Sequence, residues 1–482
     1  MTTRRPLCIG MAVFVTGLLL FGPLRSVRAQ AGMQSIEAVS TGGGTSALSG
    51  GVAGLYTNPA HLTVGPAEHR TEVQLFRVGA YSGGDLFQFN HYSKLFVHED
   101  PGAPPLSDAE EKATLDAWFG SSTRSAASYL EVTPLAMTYR SPNGQWGIGL
   151  GVRGRVIQKT TLDKGLLDLL LRGTAPTRTL PVNGRVRLYS LLDVTGTFSY
   201  RFSSFPLSVG VSPRVILGTG YADGVLNSTV VVNDASLTHQ FAYTARAAGT
   251  LSTGLYDTFD AFSAEPLRQV LGSTSGIAGR GGGLDLGMSY ALRPGLHLSM
   301  SVTDLGAVTW TEEAQTVTPT NNAFRFDGLS LDLQRLTDEF EGDVGAYVKH
   351  QIDSLAQTAY RDVRRERGSF RTGLPTTIHF NSTWAPGAVT VNGGVSMGLN
   401  EHAGAVPRPV AAHLGGEVSL GPVPIRAGVR ALGAQALTVS GGLGLEIGEY
   451  RLDVGGSVTP KTSLLGTGAR YAVSASLGTL RK

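Results

Sequence analysis

The segment 146–156 reads Trp-Gly-Ile-Gly-Leu-Gly-Val-Arg-Gly-Arg-Val. Successive side chains of a strand point to opposite faces. One face therefore carries Trp146, Ile148, Leu150, Val152 and Val156, and the other Gly147, Gly149, Gly151, Arg153 and Arg155. A strand of a soluble sandwich buries its bulky apolar face and shows large polar residues to water. Here the second face is small, with scattered charges. A barrel in lipid produces that pattern, because lipid takes the bulky apolar residues while the lumen takes small and polar ones. The texture returns at 207–219, 284–290, 296–302, 389–399, 425–429, 437–447, 450–458 and 471–477. Simple alternation also runs through 71–76, 86–92 and 130–139, with Pro134 weakening the last or marking a bulge.

Composition agrees. There are 64 glycines among 482 residues, and charged residues make up 16%. A disordered chain would be more charged and less apolar. The single cysteine, Cys8, excludes a disulfide scaffold or a cysteine metal cluster. Forty basic and 37 acidic residues give a net charge of +3, too balanced to suggest nucleic acid.

The N-terminus reads as an export signal. Arg4 and Arg5 precede an apolar run over 7–24, and small residues follow at Ala29 and Ala31. From residue 32 onward no stretch of 18 residues is mainly apolar. A mature chain that enters a membrane must then do so as a closed barrel, which leaves no unpaired backbone in lipid. Short turn-forming segments at 141–144, 203–206, 293–295, 385–387 and 448–449 separate the runs. The expectation is an all-β closed antiparallel transmembrane barrel of about 14 strands, roughly 12 to 18. Helical inserts are expected at 106–119, 162–172, 256–271 and 331–367. The expected division is a signal peptide over 1–29, a small-residue plug over 30–62 and the barrel over 63–482.

The chemical motifs are weak. Gly394-Val395-Ser396-Met397-Gly398 matches a nucleophile-elbow pattern, but it sits among alternating hairpins rather than at a strand-to-helix turn. The glycine-dense 276–283 lacks the Lys-Ser or Lys-Thr of a phosphate loop. The ten histidines show no metal spacing. No enzyme activity, cofactor or metal is expected.

The segment 40–54 is almost wholly small and runs into Leu55-Tyr56-Thr57-Asn58-Pro59-Ala60. Such a segment can lie close against other backbone, as a lumenal plug does. Pro59 fixes one dihedral and lacks a donor, and Asn58 can cap the bend with its side chain. A small-residue segment ending in Asn58-Pro59-Ala60 before the first strand resembles the N-terminus of the FadL-like outer-membrane transporters. Four further stretches resemble a related branch of barrels that includes PorV-type proteins. They are Gly282-Gly283-Leu284-Asp285-Leu286-Gly287, Ser301-Val302-Thr303-Asp304-Leu305-Gly306 with Trp310, Phe326-Asp327-Gly328, and Leu374-Pro375-Thr376. The resemblance implies a 14-stranded barrel whose N-terminal hatch is anchored at Asn58, Pro59 and Ala60. The resemblance implies no substrate; the leading expectation is an outer-membrane channel or binding protein for small hydrophobic ligands, surrounded by outer-membrane lipid. The alternative is a PorV-like barrel that holds envelope protein partners or serves a secretion assembly.

Overall fold

The computed structural model describes residues 35–43, 50–64, 70–86, 88–96, 106–120, 123–172, 177–233, 236–249, 251, 276–326, 339, 363–385, 387–399, 410–432, 437–460 and 470–482. The expected export signal, the stretch 44–49, the insert 256–271 and the insert 331–367 up to residue 362, residue 339 apart, lie outside the described residues.

Fourteen antiparallel strands close into one barrel. Strand β1 comprises Thr71–Gln74 and Arg77–Gly84, β2 is Arg124–Arg140, and β3 is Trp146–Leu162. Strand β4 comprises Arg178–Pro181 and Gly184–Arg201, and β5 is Leu207–Asn233. Strand β6 comprises Ser236–Gly249 and Gly279–Arg293; β7 comprises Leu296–Trp310, Gln315–Pro319 and Ala323–Phe326. Strand β8 comprises Val363–Arg367, Phe370–Gly373 and Thr377–Trp384. Strands β9 to β14 are Val389–Gly398, Val410–Leu420, Val423–Leu432, Leu437–Ile447, Tyr450–Thr459 and Arg470–Arg481. Neighbours in sequence are neighbours in space, and β14 closes on β1 with Glu72 opposite Arg481 and Tyr81 opposite Ala472.

The alternation is the cause of the closure. Leu130, Met137, Ile148, Leu150, Phe198, Met288 and Phe380 face outward and are exposed, while Glu131, Thr138, Arg153, Ser199, Ser289 and His379 on the same strands are buried inside. No helix among the described residues is long and apolar enough to cross a membrane. The apolar outer wall places the protein in the outer membrane, as the sequence leads one to expect.

The turns at 141–145, 202–206, 294–295, 385–388, 421–422 and 448–449 lie on one side, with the chain entry into β1 and the end of β14. The long connections all lie on the other side, which is the outer face by the usual arrangement of short periplasmic turns and longer outer loops. Among the described residues three helices stand in those connections: α2 (Phe89–Phe96), α3 (Asp108–Phe119) and α4 (Gly165–Arg172). A capping box starts α3, with the Ser107 hydroxyl and Glu110 carboxylate serving each other's backbone N–H groups. Leu95, Leu115, Trp118 and Phe119 bury one another, together with Ala126 and Leu162 at the outer ends of β2 and β3. Among α3 neighbours, Lys112 first and then Lys164 hydrogen-bond Asp116, holding its carboxyl below the usual range.

Two sequence readings need correction. The alternation at 86–92 ends in helix α2, not a strand. A pattern only seven residues long does not separate the two periods, and local packing against α3 decides. The last residues of the insert 331–367 are not helical, because Val363–Arg367 pairs with Gln315–Pro319 as a strand. Its arginine-rich composition hides a strand that projects beyond the bilayer, where no lipid demands apolar residues.

Candidate functional site

The N-terminal residues lie against the inner wall. Ser35 caps α1 (Ile36–Ser40), its hydroxyl accepting from the Ala38 N–H at 3.0 Å. Two 3₁₀ turns follow at Gly51–Tyr56 and Pro59–Thr63. The wall opposite them is glycine. A Cβ on Gly442 or Gly455 would stand 2.1 or 2.0 Å from the Ser40 hydroxyl oxygen. One on Gly415 would meet the Thr41 Cβ at 2.7 Å, and one on Gly149 would meet Leu55 at 2.4 Å. These approaches are closer than any real Cβ contact, so bare glycine is what lets the segment sit there.

Asn58, Pro59 and Ala60 occupy the junction between β5, β6 and β7. Asn58 is fully buried. Its side-chain oxygen accepts from the Ala60 N–H at 3.0 Å. Its amide donates to the carbonyl oxygens of Met288 and Met300, at 3.3 and 3.2 Å, on two adjacent strands. Pro59 occupies the first turn of its 3₁₀ helix, where its missing N–H costs nothing. Gly210 abuts the Pro59 carbonyl, and Gly287 abuts the Asn58 side chain. Ser199 donates to the Ala60 carbonyl at 3.2 Å, and Ser301 to that of Thr57 at 2.8 Å.

Beside this segment a belt of ion pairs crosses the inner faces of β1 to β7. Arg77 pairs with Glu131, which also accepts from the Tyr129 hydroxyl. Arg153 meets Asp193 at 2.8 Å and Glu131 at 3.5 Å. Arg155 bridges Asp193 at 2.8 Å and Asp304 at 3.0 Å. Arg214 joins Asp304 at 2.7 Å and also pairs with Asp285. All eight charged groups are buried. Each charge is matched, which buried ions require. A further network joins Arg426 to Glu417 and Asp453, Arg451 to Asp453 and, at 3.5 Å, to Glu37 of α1. A polar cavity of about 400 Å³ lies between α1, the first 3₁₀ turn and this wall.

An apolar layer adjoins the belt on the strands' outer portions. Tyr189, Ile216, Tyr221, Val308, Trp310 and Leu374 pack inward together, with Phe370 against them. Tyr221 touches Trp310 and Phe370 with ring centroids 5.2 and 5.3 Å apart.

The sequence stretches that suggested a family converge here. In Ser301–Gly306, Asp304 holds a left-handed backbone (φ 57°) at a register shift, and its N–H donates to Asp285 at 2.7 Å. Thr376 donates to the Asp304 carbonyl at 2.9 Å, while Leu374 joins the apolar layer. Asp327 and Gly328 lie outside the described residues. Ser396 stands mid-strand in β9, opposite Ala411 of β10, so the nucleophile-elbow setting is absent there. The described residues contain no cluster of three or more metal-ligating side chains. Sequence reading did not find the charge belt as a unit, although Arg153 and Arg155 on the small-residue face were its visible signal.

A family model matches residues 75–403, from β1 to the connection after β9. The chain belongs to DUF5723, a family of unknown function. No curated protein matches this DUF5723 chain. Among solved structures it is similar to a Pseudomonas aeruginosa FadL homologue, with 12% identity, 95% of this chain and 99% of that one covered, and a TM-score of 0.48. It is also similar to the Pseudomonas putida toluene transporter TodX, at 12% identity, 94% and 99% coverage and a TM-score of 0.46. A TodX deletion mutant, described as a monoaromatic hydrocarbon channel, gives 14% identity, 93% and 98% coverage and 0.44. The DUF5723 chain thus has FadL-like neighbours, and its own strand pairing establishes the closed barrel.

Proposed function

We propose that this DUF5723 protein binds or passes small hydrophobic molecules, and that residues 30–62 form a plug in its lumen behind an export signal at 1–29. In this reading Asn58, Pro59 and Ala60 anchor the plug, and 63–482 form the barrel. The observation that carries the ligand class is the inward aromatic and aliphatic layer of Tyr189, Tyr221, Trp310 and Phe370. Such a layer is apolar where a porin lumen is polar, and a ligand enters it by displacing side chains that now pack on one another. The belt and the plug below it oppose free passage of ions. Movement through the protein is then passive and gated, with no chemical step.

The test is equilibrium binding of an apolar fluorescent probe, 1-aminoanthracene, to the detergent-purified protein. Saturable binding that weakens at least tenfold in Trp310→Asp, and little in Trp118→Phe among the outer helices, is expected. A second variant, Tyr221→Ser, covers a folding failure of the first. Binding that never saturates, or is equal in all folded variants, sinks the reading. The densely filled, charged centre favours a second reading, a barrel that holds envelope protein partners. In that case no small-molecule site exists, and cross-linking in cells traps a defined partner.

A further inference from the structure

We infer that the outward face of β6 to β8 carries a binding surface for phosphorylated lipid of the outer leaflet. On β6 the lipid face runs upward through Leu292, Met288, Leu286 and Leu284 to Gly282. Those ten or so strand residues, tilted about 40°, rise roughly 25 Å, which is the height of the apolar band of an outer-membrane barrel. The next outward row is Arg280, Thr309 and Arg371, three register partners on adjacent strands. All three are exposed, while Val308 and Trp310 beside Thr309 point inward and are buried. The row therefore stands where hydrocarbon gives way to headgroups. Above this row Arg246 and Arg364 belong to the inner face, since Arg246 lies opposite Asp223 and Thr316, and Arg364 lies opposite Thr318, two residues from Thr316.

The chemistry of this face is cationic and unspent. Arg280 and Arg371 make no ion pair among the described residues. The neighbouring acids Glu312, Glu313 and Glu366 are exposed and make none either. The inward-facing Arg155 and Arg214, by contrast, are matched in the belt. Guanidinium groups suit phosphate oxygens because their planar fork donates two parallel hydrogen bonds. Spacing across neighbouring strands of about 4.8 Å lets Arg280 and Arg371, two strands apart, hold one bulky headgroup between them. The small outward side chains just beneath, Gly282, Ala307 and Gly373, leave room for acyl chains against the wall. The occupant is a multi-acyl lipid with phosphates on its headgroup, such as lipid A, and not a free phosphate ion.

The experiment titrates the purified full-length barrel with lipid A and with its dephosphorylated form, counting bound lipid by native mass spectrometry. The probe arms also include inorganic phosphate at millimolar concentration. We expect lipid A to bind in preference to the dephosphorylated lipid. The double variant Arg280→Gln/Arg371→Gln should weaken it at least about tenfold, two surface arginines being removed. Arg293→Gln, at the periplasmic end of β6, should leave binding unchanged. Inorganic phosphate should not displace the lipid. If the double variant fails to fold, Arg280→Gln and Arg371→Gln are measured singly and each should weaken binding. Equal binding by wild type and folded variants, or equal binding of both lipids, overturns the inference. Displacement by free phosphate assigns the site to the ion and overturns it as well.

Discussion

The guanidinium of Arg153 lies over the ring of Tyr56, 4.4 Å from its centroid. One residue belongs to the charge belt on the wall and the other to the N-terminal segment, so the two systems are mechanically joined. A cation over an aromatic face contributes about 0.5–2 kcal/mol. The Tyr56 hydroxyl has no hydrogen-bond partner among the described residues. Tyr56→Phe should therefore behave like wild type, or gain slightly. Tyr56→Ala should loosen the segment and raise single-channel conductance in planar bilayers. Equal conductance in both variants would show that the contact does not restrain the segment.

A methyl group on Gly210 would stand 2.3 Å from the Pro59 carbonyl carbon. Backbone cannot yield as a flexible side chain does, so Gly210→Ala should force the segment off the wall. The expected cost is about 1–3 kcal/mol, the usual penalty of overpacking. Limited proteolysis reads this as new cleavage near residues 55–64 in a barrel that still resists heating in detergent. Gly196→Ala, whose new methyl would meet only Leu150 at 3.8 Å, should cause no such cleavage.

Arg155 is the shared partner of Asp193 and Asp304. Arg155→Met leaves the buried belt one positive charge short, with Asp193 keeping Arg153 and Asp304 keeping Arg214, and removing one partner from a buried ion pair costs about 3–5 kcal/mol. The midpoint of urea unfolding from detergent should fall accordingly. Adding Asp304→Asn should recover part of the loss, since it removes one uncompensated charge. A double variant no more stable than the single would refute the pairing.

On the outer side, Asp116 links α3 to the start of α4 through Lys164 at 2.6 Å. Its carboxyl is held low, first by Lys112 and then by Lys164. A lowered folded-state value means that the link is fully present above the ordinary carboxylate range. It is lost as pH falls through the lowered value. Hydrogen exchange in α3 should thus be insensitive to pH change near neutrality, after correction for intrinsic rates, and rise below the carboxylate range. Ser107→Ala should raise it at every pH by the equivalent of about 0.5–2 kcal/mol, as expected for a lost cap.

The barrel was legible because lipid imposes a two-residue period on every wall strand, as at Trp146 to Val156. Outside the bilayer that pressure disappears, so the strands Ala323–Phe326 and Val363–Arg367 carried no such signature. The junction at Asn58 was readable from local chemistry, since capping and proline geometry are short-range. The partners of that junction were not, because Met288 and Met300 lie more than 200 residues away. The same distance hid the belt: Arg155 and Asp304 are separated by 149 positions and meet only when β3 and β7 face one lumen.

Planar-bilayer conductance of the full chain against a variant lacking residues 41–54 tests the plug most directly. Both must first be shown to assemble as heat-resistant barrels. The account predicts low conductance for the full chain and a clear rise for the variant, tempered by the ion-pair belt that remains. A folded variant with unchanged conductance and unchanged permeability to small solutes would contradict it.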